Sequence, residues 1–446
     1  MSYVLGFLLA GSILTGDLPR QAELGFRTEE SGSELVVRAL QEGSEASAAG
    51  VREGDVVAAV NGRTFEKPYV GQDFLRRLDG GKPVEFSLRR QGDSLEVRFV
   101  PPSRALESLE GVTTTYGVLD TPDGARLRTL VSRPDGVEGP LPAIFFVQWV
   151  SCGSIELTGR GATTQVLKAM AERSGMALLR VERSASGDSE GPGCHELDYD
   201  TEVAHYRHAF DALSRAEGID SERVVVFGMS LGSTVAPLVA RGKRVAGVIV
   251  NGGGALTYFE RMLGFDRINL ERRDVPPGDI HEAMTKRILF HTEYLLRRKS
   301  PEQIEREHPE LAGVFAGILG SGDGVHYGRP YAYHQQAAAR NFLEAWAAIE
   351  APVLVVYGEY DQFETRHGHE LIAQTIDRLR PGTARFVSID RMDHDYGVYA
   401  TPEDAYSWTY GPSAPGHDAP ELIIGEILHW LRDAVGVKTR EPSGSM

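Results

Sequence analysis

The chain has 446 residues, of which 41% are apolar and 25% charged, the composition of a folded globular protein and not of a disordered one. Its 63 acidic residues outnumber 47 basic ones, for a formal charge of −16 that repels phosphate backbones and anionic lipid surfaces. No Lys/Arg-rich stripe compensates locally, which argues against nucleic-acid and membrane-surface roles, and two cysteines are too few for a disulfide scaffold or a four-cysteine zinc site.

Residues 1–21 form an apolar N-terminal segment in which Tyr3 to Leu14 imitates a signal sequence. It has no Lys or Arg ahead of it and no small-x-small cleavage site, and it falls short of the ~20 residues of a spanning helix. The expectation is a segment that packs on a cytoplasmic protein, with export as the alternative.

From 22 to 103 the pattern is one of short strands and turns. Leu35 to Leu40 reads as a strand, Ala46 to Gly50 as a small-residue turn, and Val56 to Val60 as a strand ending in the turn pair Asn61-Gly62. A short helix is predicted over Tyr69 to Leu78, followed by a hairpin, Val84 to Leu88 and Leu95 to Val100, across Gly92-Asp93. With Ala49-Gly50-Val51-Arg52-Glu53-Gly54-Asp55 leading into that second strand, the segment resembles the PDZ domains of bacterial proteases. The resemblance implies a small β-rich domain whose loop Leu24-Gly25-Phe26 offers backbone N–H groups to the terminal carboxylate of a peptide or protein. Such a module can equally serve only to pack against its neighbour.

After Pro101-Pro102-Ser103, strands and helices alternate over 104–435, which predicts an α/β fold with a mostly parallel sheet covered on both faces. Strands are expected at Ala143–Val147, Ala177–Val181, Val224–Phe227, Val245–Val250, Val353–Tyr357 and Arg385–Ile389. Helices are expected at Gln165–Arg173, Val203–Ala216, Ser233–Arg241, Leu371–Leu379 and Glu421–Val435. Residues 254–347 are too long an interval for bare loop and read as a helical cap inserted between the fourth and fifth strands, while 436–446 is a tail.

Gly228-Met229-Ser230-Leu231-Gly232 lies between the apolar run Val224 to Phe227 and a predicted helix, so a buried strand enters a tight turn that aims a helix N-terminus at Ser230. A second copy of the spelling, Gly187-Asp188-Ser189-Glu190-Gly191, is followed by Pro192-Gly193 and reads as a loop. A serine hydroxyl needs a base and an orienting carboxylate. Asp361 follows the strand ending at Tyr357, with Glu359 and Glu364 as competing acids, and His394 follows the strand ending at Ile389.

The order Ser230, Asp361, His394 resembles that of the α/β-hydrolase superfamily from about Thr113 to Val435, nearest its serine aminopeptidase and prolyl-oligopeptidase-like esterase branches. The resemblance implies Ser230 as nucleophile, His394 as general base and acid, Asp361 as orienting carboxylate, an acyl-enzyme on Ser230 and no cofactor. Leu231 N–H is the first expected oxyanion donor. The second falls on the loop Gln148 to Ser154, from Trp149 or Val150, in place of the His-Gly of many relatives. Trp149 is also a candidate pocket wall or core residue, and Tyr258, Phe259, Met262 and Phe265 form a stripe that suits an acyl pocket or the core of the cap. The stretch Arg180 to Ser189 resembles the superfamily's loop after the next strand, which shapes the site without performing chemistry, and reads first as turn and packing; no metal-ligand motif is present. Cys152 and Cys194, both expected in loops after neighbouring strands, suit a single bridge or two thiols equally.

The reading is a serine hydrolase acting on a carboxylic ester or thioester of a small-molecule or peptide-like substrate. A peptidase or amidase, or a non-catalytic PDZ-type binding protein on a hydrolase scaffold, are the alternatives. Haloalkane or epoxide chemistry on this fold places a carboxylate where Ser230 stands.

Overall fold

The structure is a computed structural model that describes residues 17–273, 275–410 and 417–439. The apolar segment Tyr3 to Leu14 and the end of the tail lie outside the described residues.

The small N-terminal domain is β-rich and antiparallel. It comprises β1 (Arg27–Ser31), β2 (Glu34–Arg38), a one-turn helix α1 (Glu45–Ala48), β3 (Val56–Val60), β4 (Arg63–Thr64), α2 (Pro68–Leu75), β5 (Val84–Arg90) and β6 (Asp93–Phe99), with β1-β2-β3-β5-β6 in spatial order. Asn61 and Gly62 both take positive φ at the β3–β4 turn, as do Gln91 and Gly92 between β5 and β6. That is the mirror-image turn geometry which matches strand twist. The predicted turn at Ala46–Gly50 is instead largely α1, because Ser44 accepts from the Ser47 N–H and caps four residues into a helical turn. Val37, Ala46, Val60, Phe86 and Leu88 close the core of this domain.

The larger part contains β7 (Val112–Asp120), β8 (Arg126–Pro134), β9 (Leu141–Val147), α3 (Ala162–Arg173), β10 (Ala177–Val181), α4 (Tyr199–Leu213), β11 (Ile219–Met229), α5 (Gly232–Ala240) and β12 (Gly247–Asn251). An insertion follows, with α6 (Tyr258–Arg272), α7 (Pro277–His291), α8 (Pro301–Glu307), the small strands β13 (Ser321–Gly322), β14 (Val325–His326) and β15 (Arg329–Pro330), α9 (Tyr331–Ala338) and α10 (Phe342–Ala347). The chain then returns through β16 (Val353–Gly358), α11 (Arg366–Leu379), β17 (Ala384–Ile389), β18 (Gly397–Val398), α12 (Pro402–Tyr410), β19 (His417–Asp418) and α13 (Pro420–Trp430).

The eight-stranded sheet runs β17-β16-β12-β11-β9-β10-β8-β7. Its strands are parallel from β17 to β10, with β8 and β7 antiparallel at the edge. All six expected strands are present. The two edge strands were not foreseen, because β7 is Thr-rich and β8 carries Arg126, Arg128 and Arg133 where an apolar run would signal a strand.

The central strands read as continuous apolar runs because both faces are covered. Alternate residues serve opposite layers: Phe145 and Val147 pack with Phe210 of α4 and Val235 of α5, while Ile144 and Phe146 pack with Val166 of α3 and Ile427 of α13. Chain order reverses about β9, with β10 on one side and β11 on the other, so the carboxyl ends of β9 and β11 open a crevice at the switch point.

Candidate active site

At the end of β11 the turn into α5 holds Ser230 at φ 53°, a left-handed conformation that is strained for a residue with a Cβ. The turn persists because both flanking glycines admit a close approach. A Cβ on Gly228 would lie 2.5 Å from the carbonyl oxygen of Gly232, and one on Gly232 would lie 2.3 Å from that of Val147. The Ser230 N–H donates to the carbonyl of Asn251 on β12 at 2.8 Å, fixing the turn from the other side.

Asp361 follows β16 and His394 follows β17, both strands ending at the edge where β11 ends. The structure brings the three side chains together: His394 Nε2 stands 2.9 Å from Ser230 Oγ, and His394 Nδ1 stands 2.8 Å from Asp361 Oδ2. The second Asp361 oxygen accepts from the N–H groups of Phe363 and Glu364, both at 2.8 Å. Of the competing acids, Glu359 accepts from the Arg391 N–H, and Glu364 pairs with Arg261.

Burial works against an imidazolium at His394, but the charge and hydrogen bond of Asp361, helped by Asp395 and Glu364, outweigh it and raise His394 to about 9. Burial alone would raise Asp361, yet His394 holds it below the usual carboxylate range. Gly252 backs the imidazole closely, since a Cβ there would lie 2.7 Å from His394 Cε1. The next N–H, of Gly253, donates to Nε2 of the buried His369.

A cavity of about 330 Å³ opens over Ser230 and His394. Trp149, Tyr258 and Met262, the candidate pocket residues, line it together with Leu231 and Val150, the candidate oxyanion donors. Phe259 is not among the lining residues: Tyr258, Met262 and Phe265 follow the i, i+4, i+7 spacing of one helical face, and Phe259, about 100° round the helix, is half-buried against the apolar cluster to which all three belong. The sequence reading missed Arg261, although it sits three residues after Tyr258 on that face, and it also missed Tyr327, Phe363 and Tyr396 on remote loops.

Side chains hold the carbonyls of the loop after β9. Arg183 donates to the carbonyls of Ser151 and Gln148, and the Gln148 amide donates to those of Ser151 and Gly153. The N–H groups of Leu231, Trp149 and Val150 make no hydrogen bond among the described residues. Arg183 is in turn paired with the buried Glu202, which also accepts from Arg329 of the insertion and from Tyr333 at 3.1 Å. Cys152 and Cys194 are joined as a disulfide, tying this loop to the one before α4.

The duplicate serine motif lies in a loop, where Ser189 accepts from the Arg128 N–H. Its neighbour Asp188 anchors the small domain, receiving Arg20, the Gln21 N–H and Arg128. On that domain Gly25 takes φ 75°, and a Cβ there would meet Ser44 at 2.4 Å. Leu24 and Phe26 line a groove of about 410 Å³ with Thr28, Gln72 and Leu75. No helix among the described residues is long and apolar enough to cross a membrane.

The model of the alpha/beta hydrolase family matches residues 154–407, more than half of the chain, and the chain belongs to that family. It is 28% identical over 155 residues to the polyketide transferase ATR5 of Stachybotrys chlorohalonatus (strain IBT 40285), an alignment that covers 34% of this chain. The chain thus spans about half the length (49%) of that curated relative. Among solved structures it is similar to Est1E from Butyrivibrio proteoclasticus, with TM-score 0.45 and 14% identity over 72% of this chain and 99% of that one. It is also similar to carboxyl esterase 2 from Tuber melanosporum, with TM-score 0.43 and 16% identity over 74% and 90% of the two chains.

Proposed function

We propose that the protein is a serine hydrolase that cleaves a carboxylic ester or thioester through an acyl-enzyme on Ser230. The observation that carries this reading is the continuous line from Asp361 through His394 to Ser230 Oγ, with both hydrogen-bond distances below 3 Å. In the neutral imidazole Nδ1–H donates to Asp361, which leaves Nε2 free to take the Ser230 proton as the oxygen attacks the substrate carbonyl. The developing oxyanion meets the N–H of Leu231 and one from Trp149 or Val150, a contribution of ~3 kcal/mol per donor. His394 then passes its proton to the leaving alcohol or thiol, and the same imidazole activates the water that releases the acid. An acceptor alcohol in place of water would make the same intermediate a transferase intermediate, the activity for which the fungal relative is named.

The proposal places 104–435 as the catalytic domain and the insertion 254–347 as a cap, which is supported by the position of α6 and Tyr327 against the cavity. The test is labelling with a fluorophosphonate, followed by a panel of p-nitrophenyl esters, thioesters and aminoacyl amides. Native protein is expected to label and Ser230→Ala to remain unlabelled, with activity confined to esters and thioesters. Labelling that survives in the variant removes Ser230 from the mechanism, and turnover of amides alone moves the assignment to the peptidase branch.

A second reading, for residues 22–103, is a PDZ-like module that captures a peptide C-terminus in the groove beside β1, supported by the course of Leu24-Gly25-Phe26 along its rim. Fluorescence polarisation with a C-terminal peptide library tests it. The Cys152–Cys194 bridge favours an oxidising compartment over the cytoplasm expected from the sequence. Thiol titration of protein from its native cells decides between them.

A further inference from the structure

We propose that Arg261 receives a carboxylate carried on the acyl part of the substrate, so that this cavity is built for half-esters of dicarboxylic acids. The inference rests on the serine-hydrolase reading and names its substrate class. Arg261 projects from the α6 face that lines the cavity with Ser230 and His394, and its side chain is only 14% exposed. Its Nε donates to Glu364, which leaves the two terminal nitrogens on the side of the guanidinium away from that bond, in the cavity that Arg261 lines. The guanidinium carbon lies 5.7 Å from the centroid of the Tyr258 ring, with Met262, Phe265 and Phe363 as further apolar walls. Beside such apolar walls a charge-assisted bond from the guanidinium to a ligand carboxylate is stronger than the same bond in bulk water.

The guanidinium is also held in register with the chemistry. Glu364 gives its N–H to Asp361, so the ion pair is fixed to the turn that orients His394. Arg261 is therefore more than a contact between α6 and the loop after β16: its remaining donors form a flat fork at a set position relative to Ser230, the shape that binds a carboxylate through two parallel N–H groups. A phosphate dianion is disfavoured more than a carboxylate monoanion, because the cation lining the described cavity is Arg261, which is already paired with Glu364. Burial, with the charge of Asp361 added, pushes Glu364 up. A volume of about 330 Å³ suits a short acyl chain.

The experiment compares the mono-p-nitrophenyl esters of succinate, glutarate and adipate with their methyl-capped, uncharged counterparts. It is paired with calorimetry of monomethyl glutarate binding, in native protein and in Arg261→Met/Glu364→Gln, Arg261→Lys and Ser230→Ala. At one chain length the native enzyme should prefer the free carboxylate by about 10- to 100-fold in kcat/KM, expressed in KM. That ratio should collapse in the double variant, which leaves no orphaned buried charge, and be partly kept in Arg261→Lys; a purely structural Arg261 would lower both substrates together. Equal turnover of both esters by the native enzyme, or a preference that survives in the double variant, overturns the inference and leaves the hydrolase reading standing. If no ester is cleaved yet monomethyl glutarate binds native protein and Ser230→Ala but not the double variant, the anion site stands and the hydrolysis fails. If neither turnover nor Arg261-dependent binding is found, both fail.

Discussion

The two walls of the cavity are held by different physics. On the sheet side, Ser230 is placed by backbone sterics and backbone hydrogen bonds, with glycines wherever atoms come closest. On the insertion side, side chains do the holding: Glu202 gathers Arg183 and Arg329, Asp266 gathers Arg287 and His291, and Tyr258 donates to His334. A wall fixed by sterics tolerates little change in shape, and a wall fixed by buried charges tolerates little change in ionisation.

The largest effect is expected where the charged wall meets the loop after β9. Burial would raise Glu202, but two arginines hold it below the usual range, and it is 1% exposed. Glu202→Gln leaves those arginines facing each other without their counter-charge, so a loss of about 3–5 kcal/mol in unfolding stability is expected. Denaturant titration measures it, and a loss below 1 kcal/mol would mean that water reaches the cluster. Next comes the disulfide, which closes a loop with a sequence separation of 42 and so restricts the unfolded chain by about 4 kcal/mol on entropic grounds. Reduction, or Cys152→Ser with Cys194→Ser, should lower stability by about 2–4 kcal/mol and slow acylation, since Cys152 lies on the loop of Trp149 and Val150. Equal fluorophosphonate labelling rates for reduced and oxidised protein would separate the bridge from the site.

On the steric wall, Gly232→Ala sets a methyl 2.3 Å from the Val147 oxygen and 2.7 Å from that of Gln148. The strand and helix must part, at a cost of about 1–3 kcal/mol, and Ser230 shifts with them, lowering kcat about 100-fold. An active Gly232→Ala would show that the close approach is not what positions the nucleophile.

This contrast also explains what could be read from the sequence. The glycines, the apolar strands and the acids and histidine just beyond strand ends are local signals, and from them the parallel sheet and the grouping of Ser230, Asp361 and His394 at one edge were legible. Arg261 and Arg329 were not legible as site residues, because an arginine looks the same in sequence whether solvated or buried, and its partner may lie over a hundred positions away, as Glu364 does from Arg261. Strands β7 and β8 escaped for a related reason: Arg128 of β8 is buried against Asp188, a pairing that no periodicity reveals. The stripe left pocket and core open for Phe259, and helical angle places it off the face that Tyr258, Met262 and Phe265 share, packed on the apolar cluster.

The smallest expected effect concerns how the two walls set the base. His394, raised to about 9, faces Asp361 at hydrogen-bond distance, Asp395 from its own loop and Glu364 from the loop after β16, with the Phe363 ring 4.8 Å away. Because the folded value lies above the unfolded one of about 6.5, the charged imidazole stabilises the fold fully below about pH 6.5 and that contribution is lost as pH rises through about 9. The proposed mechanism uses the neutral imidazole as base, so activity should rise over the interval in which this stability falls. Asp395→Asn removes one of the charges that favour the imidazolium without touching Ser230, Asp361 or the hydrogen bonds between them. An outlying charge pair of this kind is worth about 0.2–1 kcal/mol, so kcat/KM at pH 7 should increase about 1.4- to 5-fold and the rising limb should move to lower pH. The stability gap between pH 6 and pH 9 should narrow in the same variant. A limb that stays in place while the gap narrows would mean that another group governs the pH–rate profile, with Glu364 and its Arg261 partner the next to test.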